Sequence, residues 1–158
     1  MPGQEPLIPE ILDKIIKAKT DDEKIFLLQQ NGSFALKTIL QVAYSPFVNF
    51  DFPETNPPYT PDDSPAGMSP TNLHREVKKF IYFVNGHPSF IDNATRRERV
   101  FIELLEGLHA TESELVLSAR AKHIDGLTHE IAWKAFPNVL PEPVREEVQT
   151  NEQEESAA

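Results

Sequence analysis

Five histidines and twenty-five acidic residues are the groups in this 158-residue chain that could do metal or acid–base chemistry. Their spacing completes no recognised arrangement. His129-Glu130 opens like a zinc-protease motif, which needs a second histidine four residues after the first so that both face one metal from one helix. Position 133 is Trp133, and the motif fails. His109 and Glu112 stand three apart, but Ala110-Thr111 is where one helix is expected to end and the next to begin. His74 and His87 lie at or near the two ends of a single expected helix and cannot meet. Glu103 and Glu106 are neighbours on a helix surface, where like-charged pairs usually form a solvated face. The chain has no nucleophile elbow, phosphate loop or dinucleotide fingerprint, and only six glycines with which to build one. These residues read as noncatalytic, with no metal and no cofactor. A small hydrolase with an unrecognised site stays as a third reading.

The basic residues cluster more tightly. Arg75, Lys78 and Lys79 precede the His87-Pro88 turn, and Arg96, Arg97 and Arg99 follow it in the first turns of the next helix. If the two helices form a hairpin, Lys78 and Lys79 approach the Arg96 region as one positive patch. Cations at a helix start oppose its dipole, so something should offset them. Asp92 and Glu98 would do so in an internal salt-bridge network. The other readings are an acidic protein partner, or a nucleic-acid or phosphate ligand held by Lys78, Lys79, Arg96, Arg97 and Arg99.

A second candidate surface is the stretch Tyr44 to Pro70. It holds seven of the fourteen prolines together with Phe47, Phe50, Phe52, Tyr59 and four acidic residues. A loop that long within one domain is usually functional or disordered, and its aromatics argue against disorder. Either the rings anchor the loop on the core, or they present rigid apolar groups to a partner, where aromatics dominate binding energy. Trp133 and Phe136 read as core rather than as a ligand box.

The elements that must position these groups are helical. Ile8, Ile11, Leu12, Ile15 and Ile16 share one face, with Pro9 in the first turn. Thr20-Asp-Asp-Glu23 is a capping box, Asn31-Gly32 a stop, and Ser33 a cap for the helix through Leu36, Ile39, Leu40 and Ala43. After the loop, Ser69-Pro70 is expected to start a helix through Leu73, Val77, Phe80, Ile81 and Val84. Capping boxes at Thr95-Arg-Arg-Glu98 and Thr111-Glu-Ser-Glu114 open two more, the second carrying Leu115 and Ala119, and Thr128 opens the last. The expectation is an all-α fold: a bundle of about seven short helices over residues 7–140, with loop 44–70 laid across it and an acidic, disordered tail over 141–158.

Charge and composition agree with this division. The net charge of −10 lies mainly in two segments: the one from Glu142 onward carries −5, and Asp51 to Asp63 carries −4. Residues 72–140 hold nine bases and nine acids, so the folded centre is close to neutral. The acidic total looks like an argument against nucleic acid, but its distribution matters more than its sum, so nucleic acid stays possible though disfavoured. No apolar run approaches the roughly 18 residues of a membrane span, and the first residues lack the pattern of a signal peptide. With no cysteine, an intracellular setting is expected.

Four segments also resemble a known family: Leu36-Lys-Thr-Ile-Leu-Gln-Val-Ala-Tyr-Ser-Pro46, Pro57-Pro-Tyr-Thr-Pro-Asp-Asp63, Arg96 to His109 and Gly126 to Pro137. Together they resemble an uncharacterised family of small proteins of tailed bacteriophages, including T4-like phages of marine bacteria. The resemblance spans roughly residues 8–140. It implies a setting rather than a chemistry: action in the cytoplasm of an infected bacterium or in the virion, on a host or phage protein. The function expected is noncatalytic protein binding, as regulator, adaptor or minor structural component.

Overall fold

The computed structural model describes residues 6–53, 57–65 and 68–143. Among these residues there are seven α-helices, one 3-10 helix and no strand, so the fold is all-α. Helix α1 (Ile8–Ile16) carries Pro9 in its first turn and buries Ile8, Leu12 and Ile15. Helix α2 (Asp21–Gln30) starts at Thr20, whose hydroxyl accepts the Glu23 N–H at 3.2 Å. The Glu23 carboxylate reaches back one residue beyond the cap, to the N–H of Lys19, rather than to the Thr20 N–H of the usual reciprocal cap. Helix α3 (Phe34–Tyr44) is capped by Ser33 and buries Ala35, Leu36, Ile39, Leu40, Val42 and Ala43. A helix apolar on nearly every side belongs in the middle of a core, and α3 lies there.

After the loop the chain departs from the sequence expectation. Asn72, not Ser69, caps the next helix, accepting the Arg75 N–H at 3.1 Å. Helix α4 (Leu73–Glu76) lasts one turn and passes into a 3-10 helix over Val77–Phe83. Its buried residues are Val77, Phe80 and Phe83, a spacing of three that suits three residues per turn. Ile81, expected inside, is 38% exposed.

Helix α5 (Ala94–Gly107) is capped by Asn93, which accepts the Arg96 N–H, rather than by Thr95. Helix α6 (Ala110–Arg120) is capped by His109, whose Nδ1 accepts the Thr111 N–H, rather than by Thr111. In both places a competent cap just upstream lets the helix begin before the box. Helix α7 (His129–Ala135) starts at Thr128 as expected and stops before Pro137.

Helix α2 packs on α7, and α3 on α6. Polar ties reinforce both pairs: Gln29 donates to the Ala135 carbonyl at 3.2 Å, and the Lys122 ammonium to the Val42 carbonyl at 2.7 Å. Phe136 is in the core and Trp133 packs against it. The loop is tied down at several of its described residues. Asp51 N–H donates to the Phe83 carbonyl, Asn85 N–H to Asn49, Arg120 to Pro53, and Thr71 N–H to Gly107. No helix among the described residues is long and apolar enough to cross a membrane. The disorder expected of the acidic tail concerns, beyond Pro143, residues outside those described.

Candidate functional site

The four loop aromatics separate into three environments. Phe52 is 6% exposed and touches the rings of Phe50, Phe80, Phe83 and Phe101 at centroid distances of 5.0 to 5.7 Å. It is a core residue, since the backbone bonds of Asp51 and Asn85 draw the loop onto the 3-10 helix. Phe50 is half-buried, stacked on Phe52, and pairs with Val84 in an isolated antiparallel bridge. Tyr59 is half-buried against the core, and burial together with Glu114 pushes its hydroxyl pKa up. Phe47 alone of the four is open to solvent, at 81%.

The basic residues divide in the same way. Lys79 pairs with Glu76 at 2.9 Å. Arg97 is folded inward, its side chain only 14% exposed. It donates to the Ile91 carbonyl at 2.8 Å, lies 5.0 Å over the Phe90 ring and sits 3.6 Å from Asp51. It thereby clamps the turn before α5 to the start of the loop. Lys78, Arg96 and Arg99 are exposed and have no ion-pair partner among the described residues. Asp92 and Glu98, the expected partners, do not pair with Arg96.

Arg96 instead lines a cleft of about 540 Å³ together with Tyr82, Ser89, Phe90, Ile91, Asp92, Asn93 and Val100. Its walls are held by the Ile91 N–H to Tyr82 carbonyl bond at 3.0 Å and by the Phe90 N–H to His87 carbonyl bond at 3.0 Å. Arg96 and Val100 are four apart on α5 and so share a face. The aromatic part of this cleft lay outside the sequence reading. Its signal would have been Phe90-Ile91, two apolar residues in a turn that the helix pattern does not use.

The histidines are occupied with structure. His74 Nε2 is 3.0 Å from the Pro6 carbonyl, His87 Nδ1 accepts the Ser89 N–H, and His109 caps α6. His123 lies 2.6 Å from Asp125, and His129 stacks on Tyr44. Burial pushes the Tyr44 hydroxyl up to about 12. Among the described residues, no group of three or more histidine and acidic side chains is placed to hold a metal ion. Glu106 accepts the Thr60 N–H at 2.7 Å and so serves the loop.

Glu112, which the sequence places in a polar capping box, is 0% exposed. One carboxylate oxygen accepts the Leu73 N–H at 3.0 Å; the other has no hydrogen-bond partner among the described residues. It fastens the start of α4 to α6. Burial pushes its pKa above the ordinary glutamate value, opposed by the Leu73 N–H and by the nearby His74 and His109. A raised folded pKa means that the folded state holds its proton longer than the unfolded chain. Stability from this group is therefore complete below the ordinary glutamate value and is lost as pH rises through the folded one. Glu112→Gln should remove that dependence. The wild-type stability should fall relative to the variant by up to about 1.4 kcal/mol per pH unit within that window, measured by urea unfolding from pH 4 to 8. Parallel curves would refute the assignment.

Comparison with known proteins adds one match. A model of the family of unknown function DUF6433 matches residues 11–126, which include the loop, the cleft and Glu112. No curated protein and no solved structure matches the chain. With most of its length matched, the chain belongs to the family of unknown function DUF6433.

Proposed function

We propose that this protein is a noncatalytic protein-binding module that docks a host or phage protein during bacteriophage infection, as a regulator, adaptor or minor structural component. The carrying observation is that Arg96 stands exposed without an ion-pair partner among the described residues, in the wall of a cleft shared with Tyr82, Phe90 and Ile91; Lys78 and Arg99 are likewise exposed and unpaired among those residues. Exposed Phe47 lies two residues before the stretch Asn49–Asp51, which is bonded to Phe83–Asn85 at the end of the 3-10 helix, and Asp51 ties that stretch to α5 through Arg97. Aromatics and arginines are the side chains that carry most binding energy at interfaces. Unpaired cations steer an acidic partner toward them. The phage setting, in the infected cytoplasm or the virion, rests on the resemblance of the four sequence segments.

The test is recovery of tagged protein from phage-infected cells at moderate salt, with and without nuclease. The expected result is a nuclease-resistant protein partner whose recovery falls at least tenfold with Phe47→Ala combined with Arg99→Glu. Recovery of nucleic acid alone, lost with Arg96→Ala and Arg99→Ala, would replace this reading with nucleic-acid or phosphate binding.

A further inference from the structure

We infer that the cleft at the start of α5 takes an acidic segment of the partner protein, seating one carboxylate on Arg96 and an adjacent apolar side chain against Tyr82, Phe90 and Val100. This rests on the protein-binding reading above and names the chemistry of the partner.

The first turn of α5 carries Arg96 and Arg97 and no acidic residue. Cations there oppose the helix dipole. Arg97 is compensated by two backbone carbonyls, the Phe90 ring and Asp51. Arg96 has no such partner among the described residues, and Arg99 follows it one turn along the helix. An arriving carboxylate would meet a planar guanidinium suited to two parallel hydrogen bonds.

The cleft is also ready-made. Arg97 holds the carbonyls of Ile91 and Asp92, the Ile91 N–H holds Tyr82, and Asn93 caps the helix. Little ordering remains to be done on binding, which favours affinity. At about 540 Å³ it falls in the range of ligand-sized sites.

Its lining selects among anions. Asp92 stands beside Arg96 in the cleft, so a polyphosphate or nucleic-acid backbone would meet a carboxylate as well as a single guanidinium. A peptide differs in that its backbone N–H groups can donate to Asp92, which a phosphodiester backbone cannot do. Arg99, one turn along α5 from Arg96, then favours a further acid beside the anchor. The chemistry that fits is acidic–apolar–acidic.

The probe is a displayed library of random octapeptides selected on the full-length protein. The expected outcome is enrichment of sequences with Asp or Glu next to Phe, Leu, Ile or Met. Arg96→Glu should abolish the acidic preference and weaken the best peptide at least tenfold by fluorescence anisotropy, with the unfolding midpoint unchanged. Absence of an acidic preference, or one that survives both Arg96→Glu and Tyr82→Ser, would overturn the inference. So would a single-stranded oligonucleotide that displaces the best peptide and itself binds more tightly. The two readings fail separately. A protein partner captured from infected cells that is insensitive to Arg96→Glu but lost with Phe47→Ala keeps the function and removes the cleft. Failure to capture any protein removes the function whatever the library yields.

Discussion

Replacing Phe52 by alanine will destabilise the fold by about 3–5 kcal/mol, the usual cost of deleting a fully packed aromatic ring. Its ring is the hub of an aromatic cluster. Phe50 stacks on it at 5.7 Å with planes 6° apart, Phe80 meets it edge-on at 5.7 Å, and Phe83 and Phe101 lie at 5.0 and 5.2 Å. Those neighbours come from the loop, the 3-10 helix and α5, so one truncation loosens three elements together. The midpoint of thermal unfolding should fall by about 10 °C, at about 2–4 °C per kcal/mol for a chain of this size. The amides of Asp51 and Asn85, which bond the loop to the 3-10 helix, should lose hydrogen-exchange protection first. Phe47→Ala is the matched comparison: an exposed ring removed from the same loop should change stability by no more than about 0.5 kcal/mol. Equal effects of the two substitutions would mean that the loop is not anchored as described.

That contrast marks what could be read from sequence. Phe47, Phe50, Phe52 and Tyr59 are alike in composition and proximity, and only the tertiary bonds of Asp51 and Asn85 decide which rings turn inward. The helices were legible where periodicity and a single cap agreed, as at Thr20, Ser33 and Thr128. They were misjudged where two caps competed. Asn93 and His109 start helices that Thr95 and Thr111 seemed to open, because the earlier residue already satisfies the first N–H groups. The segment after Leu73 fits an α pattern through Ile81 and Val84 and a 3-10 pattern through Val77, Phe80 and Phe83; burial against Phe52 and Phe101 selects the second.

The candidate site was half legible for a related reason. Arg96, Arg97 and Arg99 are distinguishable only by direction. Arg97 turns under the Phe90–Asp92 segment and becomes structural, which leaves Arg96 and Arg99 outward. Glu112 was missed as a buried group because its neighbours Glu114 and Ser113 suggest a polar face. The buried face of α6 is Glu112, Ser113, Val116 and Ala119, an acid at a core-period position whose cost is partly met by the Leu73 N–H.

Gly126→Ala should cost about 2–5 kcal/mol, and it tests a contact that no local pattern announces. The residue sits at φ +79°, where an L side chain costs about 1–2 kcal/mol. A Cβ there would also lie 2.7 Å from both Cβ and Cγ2 of Ile16 at the end of α1, and overpacking of a filled site adds about 1–3 kcal/mol. Gly86→Ala separates the two contributions. Gly86 has φ +98° but nothing within 4 Å of the added Cβ, so only the backbone cost applies. The difference between the two variants, measured by urea unfolding, reports how tightly α1 closes on the turn before α7. The Lys24 ammonium, which donates to the Gly126 carbonyl at 3.1 Å, draws α2 to the same point and limits how far the turn can retreat. Ile16→Ala should relieve Gly126→Ala only in part: it removes Cγ2 but leaves the Cβ, which is equally close. Full rescue would place the strain in Cγ2 and the atoms beyond Cβ; equal costs at positions 86 and 126 would show that α1 does not close there.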